Sequence, residues 1–266
     1  MSAPIAELES RFARRIGLYA RNLRTGRTLS HRPDERFAMC STFKTLAVAA
    51  VLDGRLLTPD PQVLRRRACW PPSLVAGAGY AVRMEEWQRA AYRPEVAEVC
   101  EAALVDSDNA AGNWLLGLVG GPAAITRLAR DLGDPVTDLT RWEPDLNRWA
   151  PGATRDTTTP RAMGRGYAAL LAGRALVPSD RRRLHDWMAA SRTGGKALRA
   201  GLPDGWRIAE KTGSGDFGTR NDVGVAWTPD RTPVVISCLT HGLRDTDGPL
   251  DAVLAAVGQV CGETLG

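Results

Sequence analysis

Two residues with the chemistry of an acylating enzyme stand three positions apart. Ser41 and Lys44 form the pattern S-x-x-K at the start of an apolar segment with helical spacing. On a helix, this spacing places the serine hydroxyl and the lysine amine on one face. A serine hydroxyl becomes nucleophilic when a base takes its proton. The pattern predicts Ser41 as a nucleophile and Lys44 as its base or proton relay, but S-x-x-K alone most often marks only a helix start.

A second candidate lies at residues 209–222, where AEKTGSGDFGTRND contains two overlapping motifs. Residues 213–218 match G-x-G-x-x-G, a dinucleotide-binding loop, whereas residues 211–213 are K-T-G, which occurs beside catalytic serines. A dinucleotide-binding loop needs a helix directly after its glycines. Residues 222–227, DVGVAW, are typical of a strand instead. The stretch is therefore predicted to form a hairpin between antiparallel strands, and the nucleotide interpretation is rejected.

The K-T-G interpretation predicts partner motifs elsewhere in the chain, and two are present. Residues 107–109 are S-D-N, and residues 141–147, RWEPDLN, contain E-x-x-L-N. Each motif alone occurs by chance in unrelated chains. All four in this order bring a serine nucleophile together with two lysines, a second serine and a carboxylate. This set favours acyl transfer through a covalent intermediate.

In this combination the chain resembles the class A serine β-lactamases, whose signature includes S-x-x-K, S-D-N and K-T-G. The similarity extends over essentially the whole length. The segments VCEAAL, RWEPDLN, RDTTTP and KTGSGDFGTRND are most similar to those of actinobacterial members. The resemblance implies hydrolysis of the β-lactam amide through an acyl-enzyme on Ser41, with Glu143 activating the deacylating water.

The resemblance also implies a role for each residue of the motifs. Either Lys44 or Glu143 serves as the acylation base, and Lys44 would first need a pKa well below its usual ~10.4. Glu143 and Asn147 would hold the deacylating water, and Ser107 would protonate the leaving nitrogen. The backbone N–H groups of Ser41 and Ser214 would form the oxyanion hole. The implied substrate contacts are Asn109, Lys211, Thr212 and Arg220, and the implied structural residues are Asp108, Arg141, Asp156 and Gly213.

The elements that must position these residues follow from the patterning. Strand-like segments at 15–32 and after residue 200 flank a middle region with helical spacing. The prediction is an α+β or α/β two-unit fold, similar to the penicillin-recognising serine β-lactamases. Residues 1–39 and 195–266 would form an antiparallel sheet flanked by helices from both termini. Residues 40–194 would form an inserted all-helical unit, with the active site in the cleft between the units.

One segment departs from the family pattern. Residues 55–95 are a few positions longer and normally supply an aromatic residue at the mouth of the site. Tyr80 is the candidate, with Trp87 and Tyr92 as competitors. Cys100 matches a position that forms a disulfide in some members, but the partner position is Val48. Ser214, Gly215 and Asp216 give no sign of a broadened site, so a preference for penicillins is the default expectation.

The composition of the chain limits which binding partners are expected. The 266 residues carry a net charge of +5, mostly from scattered arginines that include the clusters at 65–67 and 181–183. No basic module or membrane-length apolar run is present, so we expect no nucleic-acid or membrane partners. The cysteines and histidines lack metal-ligand spacing, so no metal is expected. The family resemblance implies a monomer without a cofactor. The first 15 residues lack a signal-peptide core. The chain would be cytoplasmic as a full product and secreted as a mature form.

Two alternatives remain open. The first is a D,D-peptidase, or a hydrolase of biosynthetic amides or esters built on the same scaffold. Peptidases of this superfamily lack a deacylating glutamate, so Glu143 argues against this alternative. The second is a β-lactam sensor that is acylated once and stays loaded, for which a working deacylation site is not expected.

Overall fold

The computed structural model describes residues 3–54, 60 and 62–266. Its elements in chain order are α1 (Ala3–Phe12), β1 (Arg14–Asn22), β2 (Thr28–His31), β3 (Phe37–Ala38), α2 (Phe43–Asp53), α3 (Pro72–Ala76), α4 (Val82–Arg89), α5 (Val96–Val105), α6 (Asn109–Val119), α7 (Pro122–Asp131), β4 (Thr157–Thr158), α8 (Pro160–Leu171), α9 (Pro178–Ala189), α10 (Leu198–Gly201), β5 (Arg207–Gly215), β6 (Thr219–Trp227), β7 (Pro233–Gly242) and α11 (Asp251–Leu265). The predicted strand–helix–strand order is therefore observed.

Five strands from the two ends of the chain form one antiparallel sheet in the order β2-β1-β7-β6-β5. The central pair joins the N-terminal β1 to the C-terminal β7, with Ile16 opposite Thr240. One face of the sheet packs on α1 and α11, and the other on the helical region that includes α8. Both faces are covered, so β6 and β7 are nearly continuously buried.

The helical region is organised around α2. Its residues 43–51 are all buried, because α5, α6, α7 and α9 pack around it. It ends where Gly54 adopts the left-handed conformation at φ 69° and donates its N–H to Ala50 O. A helix that is buried on every side, as α2 is, is typical of the centre of a helical region.

The structure corrects one detail of the helical pattern. The helical spacing of apolar residues is continuous over residues 94–119 in the sequence. In the structure, the helix is interrupted at residues 106–108, which separate α5 from α6. Ser107 has φ 59°, which is unfavourable for a non-glycine residue. Asp108 starts α6 by accepting the N–H of Ala111. The break turns the Ser107 side chain toward the site described below.

The N-terminal part of 55–95 lies partly outside the described residues, which leave out 55–59 and 61. The remainder folds as short helical turns with α3 and α4. All five cysteines are in the described part of the chain and have free thiols, and only Cys69 is exposed. Among the helices the structure describes, none is long and apolar enough to cross a membrane.

Candidate active site

Ser41 lies in a single 3₁₀ turn, Cys40–Thr42, that leads directly into α2. The nucleophile candidate thus precedes the helix rather than forming its first turn. The turn is held in place by β3, which pairs with β4, and by the N–H of Met39, which donates to Asp156 O. Because β4 follows the segment that carries Glu143, this small ladder fixes that segment relative to the Ser41 turn.

Lys44 is fully buried and contacts four oxygen atoms. Its Nζ lies 3.0 Å from Ser41 Oγ, 2.7 Å from Ser107 O and 2.6 Å from Asn109 Oδ1. The fourth partner is Glu143 Oε1 at 3.1 Å. All four oxygens can accept a hydrogen bond, and an ammonium has three N–H donors and no lone pair. These contacts therefore fix the Lys44 amine between Ser41 and Glu143.

Glu143 lies on the other side of Ser41. Its Oε1 is 3.3 Å from Ser41 Oγ, and its second oxygen accepts from the side-chain amide of Asn147. The side chain of Glu143 is fully buried, with Lys44 as its cationic partner. This contact places a carboxylate oxygen within hydrogen-bond distance of Ser41 Oγ.

Asn113, which the motifs do not include, holds the backbone of Glu143. Its Nδ2 donates to Glu143 O at 2.8 Å, and its Oδ1 accepts the N–H of Glu143 at 2.9 Å. Asn113 is on α6, four residues after Asn109, so both point from the same helix face toward the site. The i, i+4 spacing of Asn109 and Asn113 was the sequence feature that could have indicated that Asn113 faces the site.

Replacing Asn113 with alanine is expected to lower kcat about 100-fold, because Glu143 loses both backbone restraints and small displacements at a catalytic group are costly. The free energy of unfolding should fall by about 1–3 kcal/mol for the unpaired buried groups. Steady-state kinetics and chemical denaturation measure the two effects. Asn22→Ala is the matched control, since Asn22 is a buried backbone-bonding asparagine next to Leu265. It should lose stability with kcat unchanged; an equal loss of kcat in both variants would contradict the positioning role.

Ser107 and Lys211 form a second hydrogen-bonded pair. Lys211 Nζ donates to Ser107 Oγ at 2.9 Å and to Thr212 O at 2.9 Å. Burial, with the nearby positive charge of Lys44, lowers the pKa of Lys211 well below its usual value. A lysine with a depressed pKa releases a proton more readily, which would suit the proton-donating role predicted for Ser107.

Strand β5 passes unusually close to the Ser41 turn at Gly213. A Cβ at this position would lie 3.0 Å from Met39 O and 3.2 Å from the backbone N of Ser41. Only glycine permits this approach without displacing the turn. The glycine therefore sets the separation between the Ser41 N–H and Ser214, the two predicted oxyanion donors.

Arg220 lies on β6 directly opposite Ser214, and each of its three side-chain nitrogens makes a hydrogen bond. Nε contacts Asp251 at 2.6 Å, Nη1 contacts Ser214 Oγ at 3.1 Å, and Nη2 contacts Thr193 O at 2.9 Å. Thr193 also shares a hydrogen bond with Thr212 through its hydroxyl at 2.6 Å. Thr193 and Asp251 were missed by the sequence analysis, because neither belongs to a motif.

The remaining predicted substrate contacts lie at the mouth. Asn109 Nδ2 donates to Ala78 O, which leaves its second amide hydrogen for a ligand. Tyr80 is 48% exposed, and its backbone O accepts the N–H of Asn109. Trp87 is buried, and Tyr92 contacts Glu98 away from the site. Tyr80 therefore stays the candidate for the aromatic residue.

Comparison with known proteins agrees with this geometry. The sequence matches the Beta-lactamase enzyme family over residues 1–265. It is 47% identical to a β-lactamase of Streptomyces lavendulae over 253 residues, covering 94% of this chain and 82% of that protein. A β-lactamase of Streptomyces albus G is 45% identical over 265 residues, which cover 98% of this chain and 83% of that protein. The chain belongs to the β-lactamase enzyme family.

Solved β-lactamases share the fold. The structure from Streptomyces albus G superposes with a TM-score of 0.95 at 45% identity, covering 100% of this chain and 99% of that chain. The crystal structure of a β-lactamase from Desulfarculus baarsii gives 0.94 at 41% identity, covering 100% and 97%. The predicted fold class and the resemblance to actinobacterial β-lactamases are confirmed. Assignment to class A stays a prediction.

In this β-lactamase, the loop carrying Glu143 is closed at its neck. Arg141 Nε lies 2.6 Å from Asp156 Oδ2, while Asp156 Oδ1 accepts the N–H groups of Thr140 and Arg141. The Asp156 side chain is almost fully buried. The predicted pair thus forms, and it joins the two ends of the loop that presents Glu143 and Asn147.

Two more residues order the site of this β-lactamase from behind. Asp108 accepts the N–H groups of Ala111, Arg83 and Met84, in agreement with the structural role predicted for it. Asn221, which sequence reasoning missed, donates to Ala38 O at 2.8 Å and accepts the N–H of Thr240. Asn221 thereby ties β6 to the start of the Ser41 turn. No metal-ligating group of three or more His, Cys, Asp or Glu occurs in the ranges described.

A buried acidic pair lies next to Lys211 in the sheet. Glu210 and Asp222 are both fully buried, and Arg199 contacts Glu210 Oε1 at 2.8 Å. Burial and the neighbouring Asp222 raise the pKa of Glu210 to about 10, and burial raises that of Asp222 to about 6. Two adjacent carboxyls cannot both ionise cheaply, so we expect the pair to share one proton at neutral pH.

Replacing Glu210 with glutamine, which mimics the protonated carboxyl, is expected to flatten the dependence of stability on pH. The folded protein holds a proton that unfolded Glu210 releases above its ordinary pKa of 4.5. The free energy of unfolding of the wild type should therefore fall by about 1.4 kcal/mol per pH unit from this group between pH 7 and 9. Denaturation at several pH values tests this, with the exposed Glu85→Gln as control. Parallel curves for wild type and Glu210→Gln would contradict the shared proton.

Proposed function

We propose that this protein hydrolyses the amide bond of β-lactams as a class A serine β-lactamase. The observation that carries the proposal is the buried cluster in which Ser41 Oγ lies 3.0 Å from Lys44 Nζ and 3.3 Å from Glu143 Oε1. A nucleophile, a carboxylate that accepts its proton and a cation that fixes both are what acylation of serine requires. The β-lactamase names of the relatives support the choice of substrate.

Acylation begins with transfer of the Ser41 proton to Glu143. Lys44 donates to Ser41 Oγ throughout, so it orients the oxygen and stabilises the developing charge. The oxygen forms a bond to the lactam carbonyl carbon, and the backbone N–H groups of Ser41 and Ser214 bind the oxyanion. When the C–N bond breaks, Ser107 protonates the nitrogen. Net transfer of the proton from Glu143 to Ser107 then restores both groups.

Deacylation uses Glu143 again. With Asn147 holding one carboxylate oxygen in place, Glu143 takes a proton from a water that attacks the acyl carbon. The ester bond breaks, and Ser41 recovers its proton from Glu143. The product is the ring-opened acid.

Substrate binding is assigned to the opposite wall. Lys211, Thr212 and Arg220 would hold the substrate carboxylate, Asn109 would donate to its acylamino group, and Tyr80 would line the mouth. Arg220 suits the carboxylate because its guanidinium binds both oxygens. Since Asp251 and Thr193 already engage Arg220, the arginine is held in one orientation before substrate arrives. A preference for penicillins stays the default.

The same proposal includes the organisation of the chain. We assign residues 1–39 and 195–266 to one unit, and residues 40–194 to an inserted helical unit, with the site in the cleft between them. Support comes from the origin of the side chains, because Ser41 and Glu143 lie in the insert and Lys211 lies in the sheet. We further propose a monomer that does not bind nucleic acid.

The proposal is tested by mixing the protein with a chromogenic cephalosporin while turnover and intact mass are followed together. Sustained turnover that is abolished in Ser41→Ala supports the lactamase. An adduct on Ser41 without turnover would instead identify a sensor or a peptidase-like protein. If neither adduct nor turnover appears, for penicillins as well, the proposed function is wrong.

A further inference from the structure

A large cleft lies on the side of α9, away from Ser41. It has a volume of about 790 Å³ and lies between α9, the start of β5 and the turn that joins β6 to β7. We call it the arginine cleft, because its lining includes Arg181, Arg182, Arg207 and Arg231. None of the residues assigned above to catalysis or substrate binding lines it.

The positive charge in the arginine cleft is largely uncompensated. Among the residues that the structure describes, Arg182, Arg207 and Arg231 form no ion pair, and Arg181 donates only to the backbone O of Gly173. His185 also lines the cleft, and none of the described lining residues is an aspartate or glutamate. Clustered like charges repel one another, so an arrangement without carboxylates favours an anionic occupant.

The acidic residues that lie nearest in sequence to the cleft arginines form contacts outside the cleft. Asp180 pairs with Arg183, Asp230 pairs with Arg24, and Asp186 contacts His185 from outside the lining. They do not neutralise the three unpaired guanidinium groups. Guanidinium groups bind phosphate oxygens two at a time, which makes a cleft lined by several arginines a fitting site for an oligophosphate.

The floor of the cleft is apolar and aromatic. Trp227 lines it, with the His185 ring packed edge-on at 4.9 Å, and Leu171, Pro178 and Pro229 complete the surface. The volume falls within the usual range for sites that enclose a small molecule. A wall of this kind accepts an organic group attached to the anion.

We propose that the arginine cleft is a second ligand site, separate from the active site, which binds the oligophosphate group of a small molecule. Arg182, Arg207 and Arg231 contact the phosphates, and Trp227 contacts whatever organic group they carry. The site uses surfaces of α9 and β5 that the proposed hydrolysis does not use.

Titration calorimetry of the whole protein with inorganic tripolyphosphate at low salt tests the proposal. We expect saturable binding at one site, weakened at least about tenfold in Arg182→Gln/Arg231→Gln. The matched control is Arg89→Gln/Arg127→Gln, which removes the same charge from exposed arginines outside the cleft and should change the Kd less than about twofold. Circular dichroism confirms that both variants are folded.

Adenosine triphosphate, titrated in parallel, distinguishes the sources of the phosphate. If adenosine triphosphate binds more tightly than tripolyphosphate, the ligand carries a ring that contacts Trp227. If the two bind equally, the site recognises the phosphates alone. Absence of saturable binding by either probe would overturn the proposal. Equal weakening by the two double variants would also overturn it, because binding would then follow net charge alone.

Discussion

Replacing Glu143 with glutamine is expected to lower kcat by about 100- to 10,000-fold and to leave Ser41 acylated during turnover. The amide keeps the size of the side chain but cannot accept a proton from the deacylating water. Acylation should be less affected, because Lys44, the second candidate base, still contacts Ser41 Oγ. Rapid quenching followed by intact-mass measurement detects the adduct.

The exposed Glu86→Gln is the matched control for this result, since it removes the same charge from α4 and should leave kcat unchanged. Melting curves of both variants exclude unfolding as the cause. Loss of turnover in Glu143→Gln without any adduct would show that Glu143 is indispensable for acylation as well. Unchanged turnover would contradict the assignment of Glu143 altogether.

Replacing Lys44 with methionine is expected to slow acylation by about 100- to 10,000-fold, with no adduct accumulating. Lys44 is fully buried and donates to Ser41 Oγ, Ser107 O and Asn109 Oδ1. Methionine keeps an unbranched side chain but leaves these oxygens and the Glu143 carboxylate without their cation. Single-turnover kinetics measures the acylation rate directly, and so separates this variant from one that is defective in deacylation.

Lys196→Met provides the control, because Lys196 is exposed and outside the cluster. Its acylation rate should equal that of the wild type. The double variant Lys44→Met/Glu143→Gln should neither turn over nor form an adduct, because no group near Ser41 can then take its proton. Fast acylation of the double variant would mean that neither residue is the base.

The four motifs predicted which side chains lie together because each carries chemistry that its residue types make recognisable. Ser41, Lys44, Ser107, Glu143 and Lys211 meet as expected, since a hydroxyl, amine or carboxylate at a motif position has few other uses. The order of strands and helices was predicted for a similar local reason. Apolar and polar residues alternate in 15–23, and apolar residues recur every three to four positions in 41–54. Both patterns depend only on which side of a strand or helix is buried.

What the sequence analysis missed depends on contacts between distant segments. Asn113 and Asn221 act by bonding to the backbone of other elements, and nothing in the types of their immediate neighbours indicates those partners. Asp251 meets Arg220 only because α11 begins beside β6. The division of 94–119 into two helices depends on one backbone angle at Ser107, which helical periodicity does not report.

The pairing of β1 with β7 has a consequence for how the molecule is made. The middle of the sheet is a ladder between β1 and β7, the first and last of the described strands, so β1 meets its central partner only after residues 14–242 have been synthesised. Lys211 and Arg220 lie in strands that are also synthesised late. Contacts so distant in sequence fold slowly, since closing a long chain segment costs entropy before the contacts compensate. A polypeptide that stops before β7 would therefore leave β1 without its central partner and the site without its fixed second wall.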